Sequence, residues 1–134
     1  MLYLDASALV KRYVSESGSE LVRKAMSMAE AWFMCRAGYV ETVRAVGSVA
    51  GRSAARRVRE EWGSIGVLEV DQALAEQAAA LALAHELRSL DALHLAAALL
   101  LPVDDLVLAT WDRRLHTAAR ERGLQVLPET IAEG

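Results

Sequence analysis

Leu106-Val107-Leu108-Ala109-Thr110-Trp111-Asp112-Arg113-Arg114-Leu115-His116-Thr117-Ala118-Ala119-Arg120-Glu121-Arg122-Gly123-Leu124-Gln125-Val126-Leu127 is the stretch that decides the fold. Its opening apolar run is strand-length and β-prone. Thr110 is a helix-capping residue type, and residues 111 to about 122 read as the helix it starts. Gly123 ends that helix, and residues 124–127 form another apolar run. Two strands joined through a helix lie parallel, because the helix carries the chain back to the starting edge.

The same alternation extends toward the N-terminus. Residues 2–4 read as a first strand, with a helix from about Ser7. Residues 31–35 read as a second strand, followed by helices over 38–49 and 52–62. Residues 67–70 read as a third strand. Asp71 then caps a helix that places Leu74, Ala78 and Leu81 on one face. Ser89 is the expected cap of a helix over 90–101. Residues 106–109 and 124–127 become the fourth and fifth strands. The expectation is an α/β fold, one domain over residues 1–134, with a mostly parallel five-stranded sheet between two helical layers.

Composition agrees. The 134 residues are 54% hydrophobic and 25% charged, which excludes a disordered chain. A single cysteine, Cys35, excludes a disulfide framework and a cysteine-based zinc site, and fits a reducing compartment. The opening residues reach Asp5 too early for a signal peptide. The longest apolar run, 95–102, is far short of the ~18 residues of a spanning helix. A cytoplasmic protein is expected. The net charge of −3 gives no general attraction to nucleic acid. It does not exclude one, because an acidic site can meet phosphate through a bound cation.

Ligands bind parallel sheets at the carboxyl ends of the strands. Asp5 ends the first strand. Asp112 follows the fourth, in the first turn of the expected helix. Asp91 sits in the first turn of the Ser89-capped helix, and Glu41 lies early in the helix after strand two. Each has a plainer reading. Asp91 and Asp112 suit a helix N-terminus electrostatically, and Glu41 can pair with Arg44. Together, carboxylates gathered at one end of a sheet repel unless a cation joins them. Hard ions such as Mg²⁺ or Mn²⁺ suit oxygen ligands and keep waters for chemistry.

The chain resembles the PIN-domain family, and within it the VapC-type toxin ribonucleases of type II toxin–antitoxin pairs. Leu4-Asp5-Ala6-Ser7-Ala8-Leu9 resembles the first family motif, and Tyr39-Val40-Glu41-Thr42 the glutamate motif. Leu90-Asp91-Ala92-Leu93-His94-Leu95-Ala96-Ala97-Ala98 resembles the third, and Ala109-Thr110-Trp111-Asp112-Arg113-Arg114-Leu115 the fourth. Gly123-Leu124-Gln125-Val126 fits the closing strand, so the resemblance spans the chain in order. It implies a three-layer α/β/α PIN fold and a Mg²⁺- or Mn²⁺-dependent endoribonuclease in which water attacks a phosphodiester. It implies that Asp5, Glu41, Asp91 and Asp112 form the acidic metal site, with Ser7 and Thr110 as supporting hydroxyls. It also implies an antitoxin partner that blocks the site, and a homodimer. Where many relatives carry Ser or Thr after the second strand, this chain has Cys35-Arg36. Arg36 and Arg113 are candidate substrate contacts. Leu9, Val10 and Tyr13 are candidate antitoxin contacts.

Other residues carry weaker signals. His94 can orient a carboxylate, bind metal, or serve as a packed structural histidine; His85 and His116 read as surface residues. Arg52, Arg56 and Arg59 share a helical face that can meet RNA phosphates, an acidic partner, or only water. Trp111 flanks Asp112 and can touch a nucleotide, the core or a partner. A phosphoacceptor receiver would need a lysine after a late strand, yet Lys11 and Lys24 are both early. A haloacid-dehalogenase-type hydrolase would need an acid where Ser7 stands. The remaining alternative is a degenerate PIN domain that acts as a non-catalytic scaffold.

Overall fold

Leu2–Leu4 form strand β1, all three residues buried, in the computed structural model, which describes residues 1–131. The chain continues through α1 (Ala6–Tyr13), α2 (Ser19–Met28), β2 (Trp32–Cys35), α3 (Ala37–Glu61) and β3 (Ile65–Leu68). It then runs through α4 (Gln72–His85), α5 (Ser89–Ala98), β4 (Val107–Ala109), α6 (Arg113–Glu121) and β5 (Gln125–Leu127). The five strands form one sheet in the order β3-β2-β1-β4-β5, and every pairing is parallel. The expected sheet is therefore present, and it is wholly rather than mostly parallel.

Side chains alternate across β1. Leu2 and Leu4 enter a core with Leu9, Val22, Met26, Met34 and Val46 from the α1–α3 side. Tyr3 points the other way, into a core with Leu81, Leu95, Leu108 and Leu115 from the α4–α6 side. Two cores on opposite faces make the α/β/α sandwich. Each large apolar side chain buried there contributes about 1.5–3 kcal/mol. Asp71 caps α4 as expected, accepting from the Leu74 N–H, and Leu74, Ala78 and Leu81 are its buried face.

Several boundaries differ from the sequence reading. The helix expected from Ser7 is two helices, and the first begins at Ala6 with Asp5 as its cap. The helices expected over 38–49 and 52–62 are the two arms of α3, which turns at Gly51 in a left-handed conformation (φ 88°). β3 lies two residues earlier than expected, because Gly66 pairs with Phe33 and leaves room for its ring. α5 starts at Ser89 itself, with Arg88 in the cap position, and ends at Ala98. Among the described residues, no helix is long and apolar enough to cross a membrane.

The strand order has a direct consequence for ligand binding. From β1 the chain builds outward to β2 and β3, then returns to add β4 and β5 on the other side. The crevice between the carboxyl ends of β1 and β4 is the topological switch point, where open α/β sheets bind their ligands.

Candidate active site

Asp5 ends β1 at that crevice and is only 3% exposed. A buried carboxylate needs donors, and it has three. Its Oδ1 accepts from the Ser7 hydroxyl at 2.6 Å and the Ala8 N–H at 2.9 Å. Its Oδ2 accepts from the Thr110 hydroxyl at 2.5 Å. Thr110 follows β4, so this last bond ties the two strands across the switch point. Ser7 Oγ also accepts from the Trp111 N–H at 2.9 Å. Burial pushes the Asp5 carboxyl above its ordinary range, opposed by His94 and then by the Ser7, Thr110 and Ala8 donors.

This use of Thr110 corrects the expected cap. Its hydroxyl is committed to Asp5 and also accepts from the Asp112 N–H at 3.0 Å. Asp112, expected in the first helical turn, is itself the cap of α6 and accepts from the Leu115 N–H at 2.9 Å. One carboxylate oxygen is thus held in place by the helix it starts.

Asp91 lies in the first turn of α5, mostly buried. Burial, then the nearby charges of Asp112 and Asp5, push its carboxyl up to about 6. Arg88 partly offsets this repulsion. Its guanidinium lies 4.0 Å from Asp91 and 3.7 Å from Asp112, although the side chain is largely exposed. Sequence reasoning missed Arg88; its position three residues before Asp91 at a helix start was the available signal.

Glu41 is held from behind. His94 is 2% exposed and its Nε2 lies 2.9 Å from Glu41 Oε1. His94 Nδ1 lies 2.8 Å from the Tyr3 hydroxyl, which accepts from the Cys35 N–H at 2.9 Å. The Tyr3 hydroxyl thus sits between the Cys35 N–H and His94 Nδ1, while His94 Nε2 faces Glu41. Both ring nitrogens are used. The metal-ligand reading of His94 therefore gives way to the packed, carboxylate-orienting one. Tyr3 was not singled out from sequence, where nothing marks a tyrosine in an apolar strand as the partner of a distant histidine.

Asp5, Ser7, Glu41, Asp91, His94 and Asp112 line one cleft of about 440 Å³. Size alone does not choose it: a cleft of about 600 Å³ lies between α4 and α6, without this concentration of acids. The donor set is carboxylate oxygen, which suits a hard divalent cation; Asp91 is raised by burial first and then by the charges of Asp112 and Asp5, a repulsion that such a cation relieves. Among the described residues the acids are not drawn into a tight three-ligand cluster. Waters would complete the shell, as they usually do for Mg²⁺.

Other expectations change. Arg36 forks onto Glu69, both exposed, instead of facing the cleft. Arg113 is exposed at the start of α6, just beyond the Asp112 cap. His116 is buried and its Nε2 sits 2.7 Å from the Pro128 carbonyl. His85 is largely covered, between Glu121 and Arg122. Leu9 and Tyr13 are buried in the core; Val10 reaches an open cleft beside the acids, which Trp111, Val40 and Leu90 also line. Trp111 is braced by Lys11, whose ammonium sits 4.7 Å from the ring centre.

Residues 2–121 match the family model described as PIN domain. Ribonuclease VapC49 of Mycobacterium tuberculosis is 38% identical to the chain over 98% of its length and 97% of that protein's. Ribonuclease VapC46 of the same organism is 36% identical, over 94% and 95%. Two solved structures share the fold at low identity. One is the Mycobacterium tuberculosis sarcin-ricin-loop-cleaving toxin VapC20, with a TM-score of 0.75 at 14% identity, covering 98% of this chain and all of that one. The other is a toxin–antitoxin complex from Klebsiella pneumoniae, with a TM-score of 0.74 at 16% identity and the same coverage.

Proposed function

Because the chain belongs to the PIN domain family, we propose that it is a metal-dependent endoribonuclease and the toxin of a toxin–antitoxin pair. The observation that carries this reading is the gathering of Asp5, Glu41, Asp91 and Asp112 around one cleft at the switch point of a parallel sheet. Relatives over nearly the whole length are named ribonucleases, which supports the reaction class. Structural neighbours solved as toxin–antitoxin complexes support an antitoxin partner. The proposed location is the cytoplasm, where such an RNA substrate would be met. The proposed assembly is a homodimer.

Asp5, Glu41, Asp91 and Asp112 would hold one or two Mg²⁺ or Mn²⁺ ions. When bound, such an ion supplies activation of water and neutralisation of charge on a phosphodiester. The chain's own contribution is preorganisation. Ser7 and Thr110 fix both oxygens of Asp5. The start of α6 fixes Asp112, and the Tyr3–His94 pair fixes Glu41. Arg88 balances the acids while they are unliganded and, being exposed, can swing toward a phosphate. Groups held this way need little rearrangement as charge develops on the phosphorus oxygens.

The test is cleavage of a pool of structured cellular RNAs with Mg²⁺, with Mn²⁺ and with chelator, beside Asp5→Asn. Discrete metal-dependent cuts that the variant loses are expected. Near-normal cutting by Asp5→Asn removes the metal-ligand assignment. A folded wild-type protein that neither cuts RNA nor binds Mn²⁺ is a scaffold instead.

A further inference from the structure

The two arms of α3 fold back on each other at Gly51. A Cβ on Gly47 would sit 3.6 Å from the Cβ of Ala55, and the Tyr39 and Trp62 rings meet edge to face with centroids 4.8 Å apart. On the returning arm, Arg52, Arg56 and Arg59 fall on one face. They line a cleft of about 300 Å³ with Tyr39, Val43 and Ala55, and no acidic side chain lines it.

Three arginines clustered with no acid among them set this cleft apart. Arg12, Arg36 and Arg88 are each paired with acids, and Arg57 lies over the Tyr13 ring. Arg52, Arg56 and Arg59 are exposed and, among the described residues, make no ion pair, in a chain whose net charge is −3. Three unpaired guanidiniums around a concave surface with an aromatic floor form an anion site, and their spacing fits a repeating anion. Four residues of helix advance about 6 Å and seven about 10 Å, a ladder comparable with successive phosphates of an extended strand.

The first arm of α3 links this cleft to the acids. Glu41 faces the acid cleft, while Tyr39 and Val43 face the arginines on the opposite side of that arm. Exposed Arg44 lies between these two faces, in a cleft that shares Ala6, Ser7, Glu41 and Leu90 with the acid site. A helix with its side chains is about 10–12 Å thick. The arginines are therefore beyond reach of the scissile phosphate but within reach of nucleotides a few steps away.

We propose that the arginine face of the α3 hairpin is a docking track for the sugar-phosphate backbone of the RNA flanking the cleaved bond. This rests on the ribonuclease reading and extends it to how a long substrate is held.

The experiment measures binding of a labelled single-stranded RNA in chelator, over a range of salt, for wild type and R52Q/R56Q/R59Q. A triple Arg→Lys variant keeps the charge and controls for folding. Expected is a loss of about 10–100-fold in affinity for the Gln variant, and a shallower salt dependence, by about 2 in log–log slope from three lost phosphate contacts on a single strand. The Lys variant should keep the slope. With Mg²⁺, the Gln variant should show a raised KM for long RNA, an unchanged kcat, and unaltered cleavage of a short oligonucleotide that fills only the acid cleft. Equal RNA affinity and slope in wild type and the Gln variant overturn the proposal, as does loss of binding to an acidic peptide alone. A wild type that neither binds nor cuts RNA refutes the ribonuclease reading itself, which distinguishes the two failures.

Discussion

Asp91→Asn should stabilise the metal-free protein while destroying its response to metal. Folding moves the Asp91 carboxyl from its ordinary 3.8 to about 6 through burial and the charges of Asp112 and Asp5. At 1.36 kcal/mol per tenfold change in proton affinity, that shift caps the cost of the charged form at about 3 kcal/mol. The side chain keeps 17% exposure and a weak contact with Arg88, so screening reduces the cost to about 1–2 kcal/mol. Asparagine is nearly isosteric and carries no charge. In chelator at pH 8 the variant should melt roughly 4–8 °C higher. The sign with pH is fixed. Between about 4 and 6 the folded chain holds the proton more tightly than the unfolded one, so wild-type stability falls as pH rises through that window. The variant's advantage is then complete above about 6 and largely gone at pH 4. Mg²⁺ should reverse the order, since 100-fold excess over its dissociation constant adds about 2.7 kcal/mol to whichever protein binds it. Thermal melts of both proteins, with chelator and with Mg²⁺, form the assay. A variant less stable than wild type in chelator, or equally stabilised by Mg²⁺, refutes the account of the acids as a repelling cluster built for a cation.

His94→Gln should weaken Mn²⁺ binding about 10–100-fold, the usual cost of losing a group that orients a metal ligand, and should also lower the melting temperature, because the ring is buried and bonded at both nitrogens; titration followed by electron paramagnetic resonance reads the metal effect without RNA, and unchanged affinity would reduce His94 to core packing. Tyr3→Phe should act in the same direction but more weakly, because it removes the hydroxyl that bonds His94 Nδ1 and leaves the Cys35 N–H without its acceptor. Gly38→Ala sets two effects against each other: helix propensity favours alanine by up to about 1 kcal/mol. The new Cβ, however, would sit 2.5 Å from Met34 Sδ and 2.9 Å from His94 Cε1, both in buried side chains. Overpacking of about 1–3 kcal/mol should win, lowering the denaturation midpoint together with metal affinity; a more stable variant would show that Met34 yields freely.

The sheet was legible because its signals are local. A strand of three or four apolar residues, a capping side chain and a helix of the right length recur along the chain, and Asp71 with Leu74, Ala78 and Leu81 behaves as that pattern predicts. The break in α3 was legible too, since Gly51 divides two helical stretches. What escaped depends on partners far away in sequence. Thr110 looks like a helix cap until β1 is placed beside β4; its hydroxyl then meets Asp5, 105 residues away, and Asp112 inherits the cap. His116 and His85 look like surface residues until the chain near Pro128 and the end of α6 pack over them. The same holds for the acids. Their positions at strand ends follow from the alternation of elements, but their tuning does not. Asp91 is raised because the fold buries it and then places Asp112 and Asp5 close to it, and Glu41 is held because Tyr3, from the central strand, meets a histidine 91 residues along whose other nitrogen faces Glu41. Local sequence thus chooses which carboxylates reach the switch point, and the sheet order decides which distant partners hold each one there.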